Sequence, residues 1–486
     1  MAVLTGLEPQ RVFHYFEEIA AIPHGSTNTK AISDYCVAFA TAHNLRYAQD
    51  DLNNVIIYKD GTIGYENSAP VIIQGHLDMV CEKDADCDID FEKDGLRLQV
   101  ENGIVSAKGT TLGGDDGIAI AYALAILEAE DIPHPPLEVV FTVDEEIGMF
   151  GAVDLDYSLL KGRTMLNIDS EEEGYLLVSC AGGITAAGHL PLARESYGGT
   201  ATTLKVDGLL GGHSGVEIDK GRANSNHVMG RILYELSKEV EFRLTSVKGG
   251  LKDNAIPRCT EATIILGTAK TDAFSLDTFV SKWNDILKKE YQTTDADIAL
   301  SIVNKTEATT SHEAFTAECT KNVISALYLS PTGIIGMSHD IEGLVQTSLN
   351  LGIVKMAENE LICSFAVRSS VATEKEELVA RLTCLFEDLS GYVTTSGDYP
   401  AWEYRQDSPL RDLMVQIYKE QTGKEPVIQA LHAGLECGLF AGGLPGLDCI
   451  SFGPDMKDIH TPSERMYVDS VERTWVFIKE ILKRLQ

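Results

Sequence analysis

From the N-terminus to near Gly188, apolar residues alternate between helical spacing and short unbroken runs, which predicts an α/β layer with a mostly parallel sheet flanked by helices. Helices are expected at 28–45, behind a cap-like Ser26-Thr27, and at 118–130 (IAIAYALAILEAE), which is apolar enough to be buried. The strands are the runs 71–74, 137–143, 164–168 and, near the other end of the chain, 449–452. Each run stops at a His, Asp or Glu, or a few residues short of one. Ligands of open α/β sheets gather outside the carboxyl ends of the strands, so these endings predict one shared site.

Beyond Gly188 the pattern changes to alternating strands (TATTLKVDG, EATIILGTA, ELICSFAVRSS) separated by amphipathic helices near 224–239, 276–291 and 374–389. This reads as an inserted α+β domain. The expected organisation is a discontinuous catalytic domain, 1–187 and 399–486, interrupted by a lid at 188–398.

With 486 residues there is chain for two to four domains at roughly 150 residues each. Hydrophobic residues make up 44% and charged residues 23%, a globular balance, and no run approaches the ~18 apolar residues of a membrane span. The net charge of −33 repels phosphate backbones and acidic headgroups, so neither nucleic acid nor membrane is an expected partner. The N-terminus lacks the basic and apolar regions of a secretory leader, and the ten cysteines form no CxxC, so a cytoplasmic chain with reduced thiols is expected. Serine-hydrolase elbows, P-loops and dinucleotide fingerprints are missing from the sequence.

The strand ends carry the candidate chemistry. In IIQGHLDMV a strand period of two puts His76 and Asp78 on one face, where the carboxylate can orient a metal-binding imidazole. GTTLGGDDG presents Asp115 and Asp116 at the start of the apolar helix, a position that also suits plain N-caps. Glu145 and Glu146 follow LEVVFTVD; on an extended segment they would face opposite ways, one toward a metal and one toward water. Asp169 follows 164–168, the triple Glu171-Glu172-Glu173 reads as a solvated run, and His460 sits in the loop SFGPDMKDIHTPSE. Singly, each of these also suits an acidic loop or a surface histidine. Together His76, Asp115, Glu146, Asp169 and His460 give two imidazoles and three carboxylates without a thiolate, a donor set for a hydrolytic pair of divalent ions, Zn²⁺ first and Co²⁺ or Mn²⁺ accepted.

These segments, with CAGGI, GLLGGHSGVEI, NAIPR, AVRSS and HAGLECGLF in the same order, resemble the M20 family of di-zinc metallopeptidases, and within it the aminoacyl-histidine dipeptidases. The resemblance implies that Asp115 bridges two metals, with His76 and Asp169 on one and Glu146 and His460 on the other. It further implies that Asp78 orients His76, that Glu145 is the general base, and that the Asp115–Asp116 peptide is cis. His213 in GGHSG matches the family's lid histidine, which steadies the oxyanion. Asn254 and Arg368 match positions near the substrate's carboxylate or scissile carbonyl, with Arg258, Gly434 and Glu436 as further lining candidates. One departure is Asp116, because proteobacterial members read GADNG where this chain reads GGDDG. The implied activity is hydrolysis of unblocked dipeptides, Xaa-His first, by a chain that can form a homodimer. N-acyl-amino-acid deacylase and tripeptidase are the rivals within the fold. A metal-binding pseudoenzyme is the rival outside it, and would be expected to lack Glu145.

Overall fold

The computed structural model describes residues 3–267, 274–306 and 310–486, which divide into two compact units. The first comprises the chain through Cys180, Tyr404–Ala430 and Leu435–Gln486; the second comprises Ala181–Glu403 and Leu431–Gly434. The joints expected at 187/188 and 398/399 fall inside the strands Gly182–Pro191 and Tyr392–Tyr399. Paired backbone keeps a strand with its sheet, whereas a change in hydrophobic texture need not coincide with a strand end.

The first unit is built on an eight-stranded sheet whose centre is parallel: Leu137–Thr142, Val71–His76, Thr164–Asn167 and Asp448–Ser451, in that spatial order. Val55–Lys59 and Tyr175–Cys180 flank this centre antiparallel, so the α/β class with a parallel core is as expected. Val71–His76 and Leu137–Thr142 are buried along their whole length, which is why they read as continuous apolar runs instead of alternating ones. The helix Gly114–Glu128 is buried on every side through Leu127. It approaches the sheet closely because position 75 is glycine: a Cβ there would lie 2.5 Å from Asp116 Oδ2 and 2.6 Å from Ala119 Cβ. A second, four-stranded sheet in the order Met456–Lys457, Arg465–Tyr467, Ile104–Ala107, Leu98–Glu101 carries the loop that holds His460.

The helix expected at 28–45 spans Lys30–Ala42, but Ser26-Thr27 do not cap it. Thr27 adopts a left-handed backbone (φ 68°) with its N–H on Asp144 Oδ1, and the Ser26 hydroxyl donates to Asp78 Oδ2 at 2.8 Å. The cap-like pair serves the site.

The second unit is an antiparallel ten-stranded sheet that includes Arg194–Asp207, Thr260–Gly267, Val345–Met356, Glu360–Ser369, Gly182–Pro191 and Tyr392–Tyr399. Among the described residues four helices accompany it, Ser225–Glu239, Leu276–Glu290, Ala317–Leu329 and Ala372–Asp388, and Ile232, Leu287, Leu327 and Leu382 bury completely in one core with strand residues such as Leu204 and Phe365. The last two residues of EATIILGTA lie outside the described residues. No helix among the described residues is long and apolar enough to cross a membrane.

Candidate active site

In the first unit, His76 ends the strand Val71–His76 and its backbone N–H donates to Asp116 Oδ2 at 3.1 Å. Its Nδ1 lies 2.9 Å from the carbonyl oxygen of Asp78, which makes Nδ1–H the donor and leaves Nε2 with a lone pair directed at the acidic cluster. The Asp78 carboxylate is farther off, Oδ1 standing 3.6 Å from Nδ1, so the main chain does most of the orienting expected of the side chain. Asp115 presents one oxygen to each imidazole: Oδ1 is 3.1 Å from His76 Nε2 and Oδ2 is 3.1 Å from His460 Nε2. Asp169 Oδ1 stands 3.7 Å from His76 Nε2, and Glu146 Oε1 stands 3.0 Å from His460 Nε2. The Asp115–Asp116 peptide is cis.

The donors fit a pair of divalent cations. Ligand atoms lie within 4.8 Å of one another in the groups His76–Asp116–Asp169, His76–Glu145–Glu146 and Asp115–Glu146–His460, so the groups share His76 and Glu146 and both ends of Asp115 face an imidazole. Asp116 Oδ1 is buried without a hydrogen-bond partner. Burial alone would lower His76, but Asp115, Asp169 and Asp116 raise it well above the ordinary histidine range. Burial also raises Asp169 and Asp116 well above the usual carboxylate range, with neighbouring carboxylates adding to it. His460 is pushed up to about 10 by its hydrogen bonds to Asp115 and Glu146. The cluster crowds more carboxylates than imidazoles into one buried place, a condition that divalent cations relieve.

Glu145 and Glu146 stand in a turn, not on the extended segment expected. The strand stops at Thr142 and Asp144 enters the left-handed region (φ 55°), which turns both glutamates into the cluster. Asp78 holds that turn, accepting from Glu145 N–H at 3.0 Å and Glu146 N–H at 3.4 Å. The Glu145 carboxyl is pushed up to about 8 by burial first, then by Glu436, Glu146 and Asp115 against the pull of His76.

Two acidic stretches have surroundings that their sequence does not mark. Glu436 opens the helix Glu436–Gly443 and is fully buried; one oxygen accepts from Gln74 Nε2 at 2.6 Å and Thr142 Oγ1 at 2.7 Å while Oε1 has no partner. It therefore lies under the ends of the central strands. The Glu171–Glu173 triple is not a uniformly solvated run: Glu173 forms a two-oxygen pair with Arg473, and Glu171 is pushed up to about 7 by burial and Asp115.

The second unit collects His213, Asn254 and Arg368. Gly212-His213 pair antiparallel with Ala255-Ile256, and Ser214 N–H donates to the carbonyl of Asn254 at 2.9 Å. Nδ1 of His213 accepts from the N–H groups of Gly215 and Val216, both at 3.2 Å, so in the neutral ring Nε2 carries the proton. Burial and the Arg368 charge lower the His213 pKa and favour that neutral form. Arg368 belongs to a row across the sheet, Ser348–Arg368–Gly183–Tyr399, whose members are direct cross-strand partners and share a face. A Cβ at Gly183 would lie 2.4 Å from the Tyr399 hydroxyl; its absence lets that hydroxyl accept from Arg368 Nη1 at 2.9 Å. At the other end Ser348 Oγ meets His432 Nε2 at 2.7 Å. Arg368 is buried, its Nε has no partner, and among the described residues no carboxylate pairs with it. Asn350 clasps the Asn254 loop, donating to the carbonyls of Asp253 and Ala255 at 2.9 Å each. Arg258 instead spans Gly211 and donates to the carbonyl of Leu209 at 3.1 Å.

The model of peptidase family M20/M25/M40 matches residues 72–484. The chain is 37% identical to the cytosol non-specific dipeptidase of Escherichia coli (strain K12), over all of this chain and 99% of that protein. Among solved structures it is similar to the aminoacylhistidine dipeptidase of Vibrio alginolyticus, with a TM-score of 0.91 at 36% identity over 99% of this chain and 97% of that one. The aminopeptidase PepT of Bacillus cereus shares the fold at a TM-score of 0.56 and 14% identity, covering 99% of both chains.

Proposed function

The chain belongs to peptidase family M20/M25/M40, hydrolases of peptide bonds, and from that premise we propose a metal-dependent dipeptidase that cleaves unblocked dipeptides, Xaa-His among the first substrates. The first unit is then the catalytic domain and the second the lid. The observation that carries the reading is that each unit holds an incomplete charge set: a carboxylate cluster that needs cations in the first, a buried guanidinium that needs an anion in the second.

His76 and Asp169 would hold one cation and Glu146 and His460 the other, with Asp115 between them. When bound, two divalent ions, Zn²⁺ first, supply Lewis acidity at the scissile carbonyl and acidify water. Glu145 is the general base: its carboxylate, turned into the cluster, takes a proton from the attacking water and returns it to the leaving amine. Asp78 acts on that step by fixing the turn that carries Glu145 and by placing its carbonyl on His76 Nδ1. Nε2–H of His213 is the donor assigned to the oxyanion. Arg368, steadied by Tyr399, recognises the free carboxylate in the fork geometry that a guanidinium offers, and Asn254 lines the same substrate end.

The name of the Vibrio relative supports Xaa-His specificity and that of the Escherichia coli relative supports a broader range in a cytosolic setting. The test is a panel assay with metal-reconstituted protein: free dipeptides including β-alanyl-histidine, their C-terminal amides, tripeptides and N-acyl amino acids. Free dipeptides are expected to be cleaved well ahead of the rest. Faster cleavage of N-acyl amino acids would overturn the reading in favour of a deacylase, and equal cleavage of dipeptide amides would remove the role of Arg368.

A further inference from the structure

His460 sits in the loop between Met456–Lys457 and Arg465–Tyr467, two short strands paired through Met456↔Met466 and Lys457↔Arg465. The imidazole is 45% exposed, its backbone is left-handed (φ 61°), and its ring meets Asp115 and Glu146 through Nε2. The anchor is four residues on. Glu464 is 2% exposed, and its two oxygens spread over four consecutive backbone N–H groups at the start of the helix Gly114–Glu128. Oε2 accepts from Leu112 at 2.7 Å and Gly113 at 3.2 Å; Oε1 accepts from Gly114 at 2.8 Å and, at the long limit of a hydrogen bond, from Asp115 at 3.4 Å. Such N–H groups have no acceptor within their own helix, and a carboxylate complements both their donors and the positive end of the helix dipole. Gly114 leaves the room: a Cβ there would lie 2.9 Å from Met456 Sδ and 3.2 Å from Glu464 Oε1.

Glu464 thus fastens the loop that carries His460 onto the turn that carries Asp115, 345 residues away in the chain, whose Oδ2 stands 3.1 Å from His460 Nε2. His76 and Asp169 have their own anchors, the first at a strand end with Nδ1 on the Asp78 carbonyl, the second just beyond the strand Thr164–Asn167. We propose that Glu464 is a positioning residue for one half of the metal pair: it sets the Asp115–His460 spacing and through it the affinity of the Asp115–Glu146–His460 cation site, while His76 and Asp169, the ligands of the other site besides the shared Asp115, have anchors that do not involve Glu464. This rests on the ligand assignment of the proposed function.

A control for general stability exists in the same unit. Glu138 is also buried and also spends its carboxylate on backbone N–H groups, those of Lys161 and Gly162 at 2.9–3.0 Å, but near the amino end of its strand, opposite the end at which the ligands gather. Metal-stripped full-length protein is titrated with Zn²⁺ against a chromophoric chelator, with folding followed by circular dichroism. Wild type is expected to take two equivalents. Glu464→Gln is expected to keep one equivalent within about threefold of wild type and to bind the other roughly 10–100-fold more weakly, the usual cost of losing a residue that supports metal ligands. Glu138→Gln is expected to melt earlier and still take both equivalents as wild type does. Should Glu464→Gln fail to fold, Gly114→Ala, which keeps the carboxylate and crowds it, is judged by the same selective loss. Two equivalents of unchanged affinity in the variant, or parallel weakening of both, would overturn the inference alone. Wild-type protein that takes up no second equivalent would overturn the two-metal reading and this inference with it.

Discussion

The two units hold opposite electrostatic deficits. In the first, the carboxylates of Asp115, Asp116, Glu145, Glu146, Asp169 and Glu436 share one neighbourhood with two imidazoles, and burial raises Glu145 to about 8 and Glu436 to about 7. In the second, Arg368 is buried without a carboxylate partner among the described residues, and burial with the Arg368 charge pushes the neighbouring His432 down to about 4. A fold stabilised for its own sake would neutralise both clusters internally, since an uncompensated buried charge costs several kcal/mol. What differs, on the proposed function, is the species that would complete each: resident cations for the acidic cluster, a transient carboxylate for the guanidinium. The first unit is accordingly braced by several buried hydrogen bonds to its carboxylates, whereas the row in the second unit keeps orphaned donors at Arg368 Nε and His432 Nδ1.

The sharpest way to break this contrast is to remove chemistry from the acidic cluster without removing charge balance for the metals. Glu145→Gln is expected to retain two metal equivalents and a KM near wild type while kcat falls roughly 10²–10⁴-fold, the worth of general acid–base catalysis. Elemental analysis beside steady-state kinetics checks it, and a kcat within a few-fold of wild type assigns the base elsewhere.

The next effect separates the two cations. His460→Ala deletes a ligand of one site only, so the folded variant should carry about one metal equivalent fewer, with activity restored partly or not at all by excess Zn²⁺. Two tightly held metals in the purified variant would contradict the division of ligands between His76 and His460.

On the cationic side, Arg368→Ala should cost less. A charge-assisted hydrogen bond is worth about 1.5–3 kcal/mol, so kcat/KM for free dipeptides should drop roughly 10–100-fold. Dipeptide amides, which lack the carboxylate, should lose little, and the ratio of free to amidated rates should collapse toward unity. Equal losses on both substrates would mean that Arg368 supports the fold and does not read the chain end.

Much of this contrast was legible before any coordinates, and the reasons differ from residue to residue. His76, Asp115, Asp169 and the strands that present them were readable because a buried parallel strand must be apolar throughout, so a polar residue at its carboxyl end stands out. The turn geometry of Glu145 and Glu146 was not readable, because Asp144 adopts a left-handed backbone that an aspartate tolerates but does not announce. The contacts of Glu464, Glu436 and His432 were not readable for another reason: each is made to residues at least 84 positions away, and one local letter cannot encode them. A signal existed for Glu464 alone. The helix start at GGDDG offers donors that need an acceptor, and HTPSE supplies a carboxylate on the loop already marked by His460.

The smallest predicted effect concerns pH, and its sign differs between the two units. In metal-stripped protein, Glu436 has a folded pKa of about 7 against an ordinary glutamate value of 4.5, so the folded state binds more protons than the unfolded chain in that window and stability falls as pH rises through it. His432 behaves in the opposite sense. Its folded pKa of about 4 lies below the unfolded value of 6.5, so under 6.5 the unfolded chain takes up a proton that the folded state refuses, and stability is lost as pH falls toward 4. One pKa unit is worth about 1.4 kcal/mol, so at pH 5 the penalty is about 2 kcal/mol relative to pH 7.5. His432→Gln keeps an acceptor for the Ser348 hydroxyl and removes the titration. Urea unfolding of metal-loaded wild type and variant at pH 5 and 7.5 isolates the term: wild type should lose about 2 kcal/mol more than the variant on acidification. Equal losses would mean that His432 is protonated in the folded protein beside Arg368, and that the second unit already holds an anion-like partner for that guanidinium.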